Sequence, residues 1–238
     1  MAGKPGPKAA ITAAPLDFTD APARGWRRIV WFAETYLLVP AGVGAKSPFV
    51  LRPWQIEILQ RMFPCADERP RPRQGLISLP RGNGKTSLAA VIAAYALFAD
   101  EEESGQVLVV ASDERQAGHT LRKVKRMIET SPRLLERTHI YSDRIHVPET
   151  DSEMRALPAD EGALQGWDPT LMIVDELHVV TNEVWEAATT AAGKRPESLT
   201  LAISTPAASE ESVMWSLVKH GREGTDPQFY FKEYAAPE

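Results

Sequence analysis

The sequence has one cysteine, Cys65, among 238 residues. A single thiol makes no internal disulfide, which fits a reducing compartment. Nothing near Cys65 resembles a partner for nucleophilic chemistry, so it reads as structural. No uninterrupted apolar run approaches the roughly 18 residues of a membrane span. The opening stretch MAGKPGPKAAITAAP has no apolar centre of the kind a secretion signal carries. These absences set the expectation of a cytoplasmic protein with no membrane partner. Positive charge is not in excess either: 27 Lys and Arg stand against 32 Asp and Glu, a net charge of −5. That excludes a generally basic protein that coats nucleic acid. What charge there is lies unevenly. Residues 111–145 hold eight basic and five acidic side chains, whereas residues 146–190 hold one basic residue, Arg155, and ten acidic ones. An acidic stretch of this kind could surround Mg²⁺ or face a cationic neighbour, or the two stretches could be differently charged solvated faces.

Organisation follows composition. Residues 1–23 are rich in Ala, Pro and Gly, and are expected to be disordered. Residues 24–74 read as a helical lead-in. Apolar positions recur at helical spacing over 24–38, and a second helix is expected from Pro53 to about Phe63, with proline in its first turn. From residue 75 to the end the pattern is strand and helix in alternation. The apolar runs are GLISL, QVLVVA, TLMIVD and SLTLAIS, with helices expected over 86–98, 113–129 and 183–192. Short strands near 144–147 and 153–157 suggest an insertion. The fold class expected is α/β, with a mainly parallel central sheet flanked by helices. Ligands in such folds bind at the carboxyl ends of the strands.

Residues 78–88, SLPRGNGKTSL, join an expected strand to an expected helix through a glycine loop. Gly82 and Gly84, with Asn83 between them, allow backbone N–H groups to converge on phosphate oxygens. The helix that follows points its positive end at the same place. Lys85 is placed to reach the β and γ phosphates of ATP, and Thr86 to hold Mg²⁺. Only the second half of the usual G-x-x-x-x-G-K-[ST] pattern is present, because Leu79 stands where its first glycine would be. Arg81 inside the loop could touch the γ phosphate, swing with nucleotide state, or brace the loop by a salt bridge.

Three further patches fall where such a site needs them. LMIVDELH, 171–178, puts Asp175 and Glu176 at a strand end. There Asp175 can complete the Mg²⁺ shell and Glu176 can orient the attacking water. ISTPA, 203–207, tips another strand with the hydroxyls of Ser204 and Thr205, which can sense the γ phosphate. LRPWQ, 51–55, offers Gln55, whose amide can both donate to and accept from an adenine edge. Trp54 beside it is read as packing.

Taken together, LRPWQ, LPRGNGKTSL, VVASDERQA, GALQGWDPTLMIVDELH and ISTPA resemble the ATPase domain of tailed-phage large terminases, the DNA-packaging motors. The resemblance runs from about Arg27 to the end of the chain. It includes Ser112-Asp113 and Gln116-Ala117 after the second strand and Gly166 before the acidic strand. The resemblance implies a P-loop ATPase of the ASCE type that uses ATP and Mg²⁺. Arg81, Gly82, Gly84, Lys85 and Thr86 would form its phosphate loop, with Asp175 and Glu176 as its carboxylates. Ser204 and Thr205 would form its coupling motif, and Gln55 its adenine contact. It implies double-stranded DNA, a portal protein and a small terminase as partners, and a homo-oligomeric ring, pentameric by expectation. The setting would be the host cytoplasm and, transiently, the procapsid.

Two departures stand out. Many relatives place an arginine for the neighbouring subunit where this chain has Gln165, which leaves Arg155 as the favoured donor and Arg122, Lys123, Lys125, Arg126 and Arg144 as alternatives. The chain also ends before the nuclease domain such proteins carry, so an excised ATPase domain is expected. The rival readings are a superfamily 2 helicase fragment, suggested by DELH, and a nucleotide-regulated capsid-assembly docking protein.

Overall fold

The structure is a computed structural model and describes residues 10–68, 70–111, 114–206 and 209–234, with the side chains of 114–117 set aside. Two helices come first, α1 (Trp26–Tyr36) and α2 (Pro53–Met62). The alternating part follows as β1 (Gln74–Ser78), α3 (Lys85–Phe98), β2 (Gln106–Ala111) and α4 (Glu114–Thr130). A short α5 (Pro132–Leu135) leads to β3 (His139–Ile140), β4 (Arg144–Val147) and β5 (Ser152–Pro158). The chain then runs through α6 (Glu161–Leu164), β6 (Leu171–Asp175), a 3-10 turn (Leu177–Val179), α7 (Asn182–Ala192), β7 (Leu199–Ser204), α8 (Val213–Glu223) and β8 (Phe229–Glu233).

The strands form one sheet in the order β3-β4-β5-β2-β6-β7-β1-β8. From β5 to β8 every neighbouring pair is parallel, and only β3, β4 and β5 pair antiparallel. The order puts β7 between the strand of the glycine loop, β1, and the strand of the two carboxylates, β6. An extra strand at that position is what the ASCE reading requires.

The inner strands read as continuous apolar runs because both faces of the sheet are covered. Val107, Val109, Leu171, Ile173, Leu201 and Ile203 join one core with α1 to α4. Their alternating neighbours Leu108, Val110, Met172, Val174 and Ala202 join a second core under α7 and α8. Helix α3 is buried from Leu88 to Phe98, which explains why it lacks a polar face. Its alanines let it lie close to the sheet.

Several expectations change here. Strand β5 is no insertion: it pairs along six registers with β2 and extends the main sheet. The closing FYFKE is likewise a sheet strand, β8, paired with β1 from Gln74–Phe229 to Ser78–Glu233. Its side chains are half-buried from Phe229 to Lys232, as on an edge strand, and Glu233 is exposed. Gly221 of α8 makes this docking possible, since a Cβ there would come within 2.4 Å of Phe231.

The disordered leader expected to residue 23 also gives way in its second half. Leu16 is buried, Phe18 packs on Trp31 and Tyr36, and the Tyr36 hydroxyl donates to the Asp17 carbonyl. Buried Arg28 pins the segment by donating to the carbonyls of Pro22 and Ala99 and pairing with Glu101. The lead-in helices share the core of the sheet domain rather than forming a unit of their own. Residues 1–9, Ser112, Asp113, Ala207 and 235–238 lie outside the described residues, as do the side chains of Gln116 and Ala117.

Candidate active site

The carboxyl ends of β1, β6 and β7 meet at one edge of the sheet, where β6–β7 and β7–β1 are hydrogen-bonded neighbours. The Leu79 N–H donates to the Ser204 carbonyl (2.9 Å) and the Glu176 N–H donates to the Ile203 carbonyl (2.9 Å). These two bonds tie the glycine loop and the carboxylate turn to the tip of β7.

The loop itself stands open. Gly82 (φ 82°) and Gly84 (φ 80°) both adopt left-handed backbone, and a Cβ at either would meet nothing within 4 Å. Strain rather than crowding thus demands glycine at these positions. The space over the loop is free for a ligand, and α3 starts at once with Gly84 as its N-cap. No side chain caps that helix end, so its first N–H groups are available to an anion. Arg81, Gly82 and Asn83 are exposed, and Asn83 only donates weakly to the Pro80 carbonyl (3.3 Å).

The opposite wall is packed. Lys85 reaches across from α3 and its Nζ lies 2.6 Å from Glu176 Oε1. Asp175 is 8% exposed and accepts from the Thr120 hydroxyl of α4 (3.2 Å). Burial raises the Asp175 pKa, and the neighbouring Glu176 adds to the rise, while Lys85 and Thr120 oppose it. A desolvated carboxylate of this kind is stabilised by a cation.

Glu176 has left-handed backbone (φ 57°, ψ 49°), a conformation a non-glycine residue adopts at a cost. The turn aims its side chain back over the strand ends at Lys85. Its other oxygen, Oε2, is buried without an aligned hydrogen bond, although His178 Nδ1 is 3.2 Å away. Below the loop, Ser78 Oγ at the end of β1 is also buried without a partner.

These features fit an Mg²⁺-nucleotide. Mg²⁺ keeps several waters and takes one or two protein oxygens beside the phosphates, so a dedicated cage is not needed. The Thr86 hydroxyl, in the first turn of α3, and the Asp175 carboxylate are the oxygens available here. Among the described residues no cluster of three or more His, Cys, Asp or Glu could hold a metal alone.

Two sequence-derived assignments take a different form. Gln55 is buried at the third position of α2, where its Oε1 accepts from the Arg52 N–H (2.9 Å) and closes a capping box. One lone pair of its amide oxygen therefore braces the helix start. Arg155 is expected to serve a neighbouring subunit rather than its own loop. It lies in β5 between Glu153 (3.2 Å) and Asp143 (3.4 Å), with its guanidinium over Trp167. Among the basic alternatives, Lys125 donates to the carbonyls of Tyr141 and Ser142 and so ties α4 to the β3–β4 turn. Trp54 packs edge-on against Tyr234, as read from the sequence.

The structure also adds residues that the motifs did not single out. Thr120 is invisible as a motif, because it lies on α4, 55 residues before its partner Asp175. His178 carried a signal, as the last residue of DELH, but its role emerges only from its neighbours.

A glycine loop, a lysine across from a glutamate and a desolvated aspartate, on a sheet with a strand between the two motifs, define a P-loop ATPase domain. A family model for the terminase large subunit ATPase domain matches residues 53–223. The large terminase of Enterobacteria phage HK97 is 27% identical over 217 residues, covering 88% of this chain and 42% of that protein. The crystal structure of the HK97 large terminase superposes with a TM-score of 0.79 at 26% identity, over 90% of this chain and 44% of that one. The ATPase domain of the Thermus phage P74-26 large terminase shares the fold, with a TM-score of 0.60 at 23% identity, over 78% of this chain and 81% of that domain. The chain belongs to the family of large terminase ATPase domains. It spans less than half the length of the HK97 protein it matches.

Proposed function

We propose that this chain is the ATP-hydrolysing motor domain of a phage large terminase, which drives double-stranded DNA into a procapsid. The observation that carries the reading is the Lys85–Glu176 contact at 2.6 Å beside buried Asp175, all at the strand ends that flank an open glycine loop.

The chemistry follows from those residues. The N–H groups of 81–86 would bind the phosphates of ATP, and Lys85 would leave Glu176 for the β and γ oxygens. Thr86 and Asp175 would hold Mg²⁺, which when bound neutralises phosphate charge. Glu176 would then be free to orient water in line with the γ phosphorus. Phosphoryl transfer of this type rests on positioning and charge stabilisation. Ser204 and Thr205 would sense the γ phosphate. Arg81, exposed on the loop, is placed to contact phosphate once it is bound.

A cation from a neighbouring subunit in a ring would add about 10³- to 10⁵-fold in rate. Arg155 serves that role only if its pairing with Glu153 and Asp143 is broken at the subunit boundary. DNA would be gripped through its backbone phosphates, so binding should weaken steeply with salt. The portal protein and small terminase are the partners such a motor needs, in the host cytoplasm and at the procapsid.

Glu176→Gln tests the reading. ATP binding should stay within about threefold while turnover falls by roughly 10²- to 10⁴-fold. Turnover at the native rate would overturn the assignment. ATP-driven strand separation by this chain alone would favour the helicase reading instead.

A further inference from the structure

We infer that His178 is a positioning residue that ties the Glu176 carboxylate to the tip of β7 and takes over its alignment when Lys85 moves to phosphate. The inference rests on Glu176 being the water-orienting group.

The geometry places His178 at the junction of the two motifs. Its Nδ1 lies 3.0 Å from Ser204 Oγ, 3.2 Å from Glu176 Oε2 and 3.4 Å from Thr205 Oγ1. The His178 backbone N–H donates to the same Ser204 Oγ (3.2 Å), so the ring is held from both ends of its residue. Ser204 is fully buried at the end of β7 and cannot follow the ring outward. The side chain of His178 is 19% exposed, which leaves it little freedom.

The proton on Nδ1 decides what the ring does. A carboxylate oxygen only accepts, so a nitrogen 3.2 Å from it is tolerated best when it carries hydrogen. In this structure Nδ1 aligns with Ser204, and Oε2 has no aligned donor. Lys85 meanwhile holds Oε1 at 2.6 Å. A phosphate that draws Lys85 away strips Glu176 of its one strong partner. His178 Nδ1–H is then the nearest donor, and a small rotation of the ring turns it from Ser204 to Oε2. That leaves Oε1 open for water while Oε2 is held. The carboxylate thus passes from a locked to an aligned state, and the β7 tip, through His178, senses the change.

The test compares His178→Ala, His178→Asn and His178→Gln in the 238-residue chain, with thermal melts to confirm folding. Asparagine places its amide nitrogen near the Nδ1 position, whereas glutamine reaches beyond it. The expected result is a kcat loss of about 10- to 100-fold for His178→Ala, with KM and ATP affinity within about threefold. Asparagine should restore most of the loss and glutamine little. In a His178→Ala, Ser204→Ala cycle, the double variant should lose little more than His178→Ala alone. A kcat within twofold of native for His178→Ala overturns the inference. So does an equal loss of affinity and turnover, or rescue by glutamine rather than asparagine.

A second readout does not need turnover. The imidazole nitrogen resonances of His178, assigned by the missing signal in His178→Asn, should shift in Glu176→Gln and again in Lys85→Ala. Resonances unmoved by both changes also overturn the inference. If Glu176→Gln itself hydrolyses ATP at the native rate, the base assignment has failed. Native activity of His178→Ala beside a dead Glu176→Gln refutes the positioning role alone.

Discussion

The two walls of the active site are built on opposite principles. The loop wall is exposed at residues 81–83, and among the described residues its one side-chain bond is the weak Asn83 contact to Pro80. The carboxylate wall is buried or half-buried and cross-linked: Asp175 to Thr120, Glu176 to Lys85, His178 to Ser204. The difference teaches where the information lies. In the proposed mechanism the loop acts through backbone N–H groups, so its sequence needs conformational freedom and little else. The carboxylate wall acts through side chains that must be held, so it needs partners from distant parts of the chain.

Changes that strike the two walls should therefore differ in kind. The largest effect is expected at the one residue that spans both. Lys85→Ala should lower kcat/KM by at least about 10³-fold, as the removal of a charged phosphate contact does, and steady-state ATPase kinetics measure it. It should also leave Glu176 without its Oε1 partner.

Asp175→Asn comes next. Turnover should be lost, yet the nucleotide-free protein should melt a few degrees higher, because a desolvated charge next to Glu176 is removed. The sign follows from the raised pKa: the folded state holds the Asp175 proton more tightly than the unfolded chain does. Its charge therefore works against folding above that pKa, and less so as the pH falls through it. Calorimetry with and without Mg²⁺-ATP checks both parts, and a lower melting temperature for the variant would contradict them.

Gly84→Ala should cost about 1–2 kcal/mol of stability from left-handed strain alone. It should also lower ATP affinity by roughly tenfold, as the loop N–H groups turn away. Chemical denaturation and nucleotide titration separate the two effects. Asn83→Ala marks the small end. Stability should move by less than about 0.5 kcal/mol and turnover by less than about twofold. A large loss there would mean that the loop wall uses side chains after all.

Much of this was legible in the sequence because it is local. The glycines, Lys85 and Thr86 are consecutive, and Asp175-Glu176 ends an apolar run, so each reads as strand, turn and chemistry within a dozen residues. Strands β2, β6 and β7 were equally plain, since burial on both faces makes an unbroken apolar run. The edges were harder. Strand β8 has every side chain only partly buried or exposed, so no buried apolar run marks it. Strand β5 resembled an insertion because it follows a hairpin, and only its parallel pairing with β2 makes it part of the sheet. The leader to residue 23 looked disordered by composition, but the anchors that hold it, Tyr36 and Arg28, come from α1.

Gln55 and Arg155 show the same limit from the other side. Gln55 was chosen by its place in a motif and Arg155 as the one basic residue of 146–190, and each has local bonds that residue type does not reveal. Gln55 caps α2, and Arg155 is shared between two carboxylates. A polar side chain takes the nearest partner that the fold supplies, and that partner is known only once the chain has folded.

The sequence by itself determined the alternation of elements, the phosphate loop, the paired carboxylates and the hydroxyl tip of β7. Each depends on residues within a few positions of one another, where backbone geometry and burial are fixed by neighbours along the chain. The tertiary structure decided who holds whom. It placed β7 between β1 and β6, carried Thr120 to Asp175, set Lys85 against Glu176, and brought His178 under the tip of β7. Those contacts bridge 26 to 91 residues of chain. Sheet order and helix packing set such distances, and no local pattern encodes them.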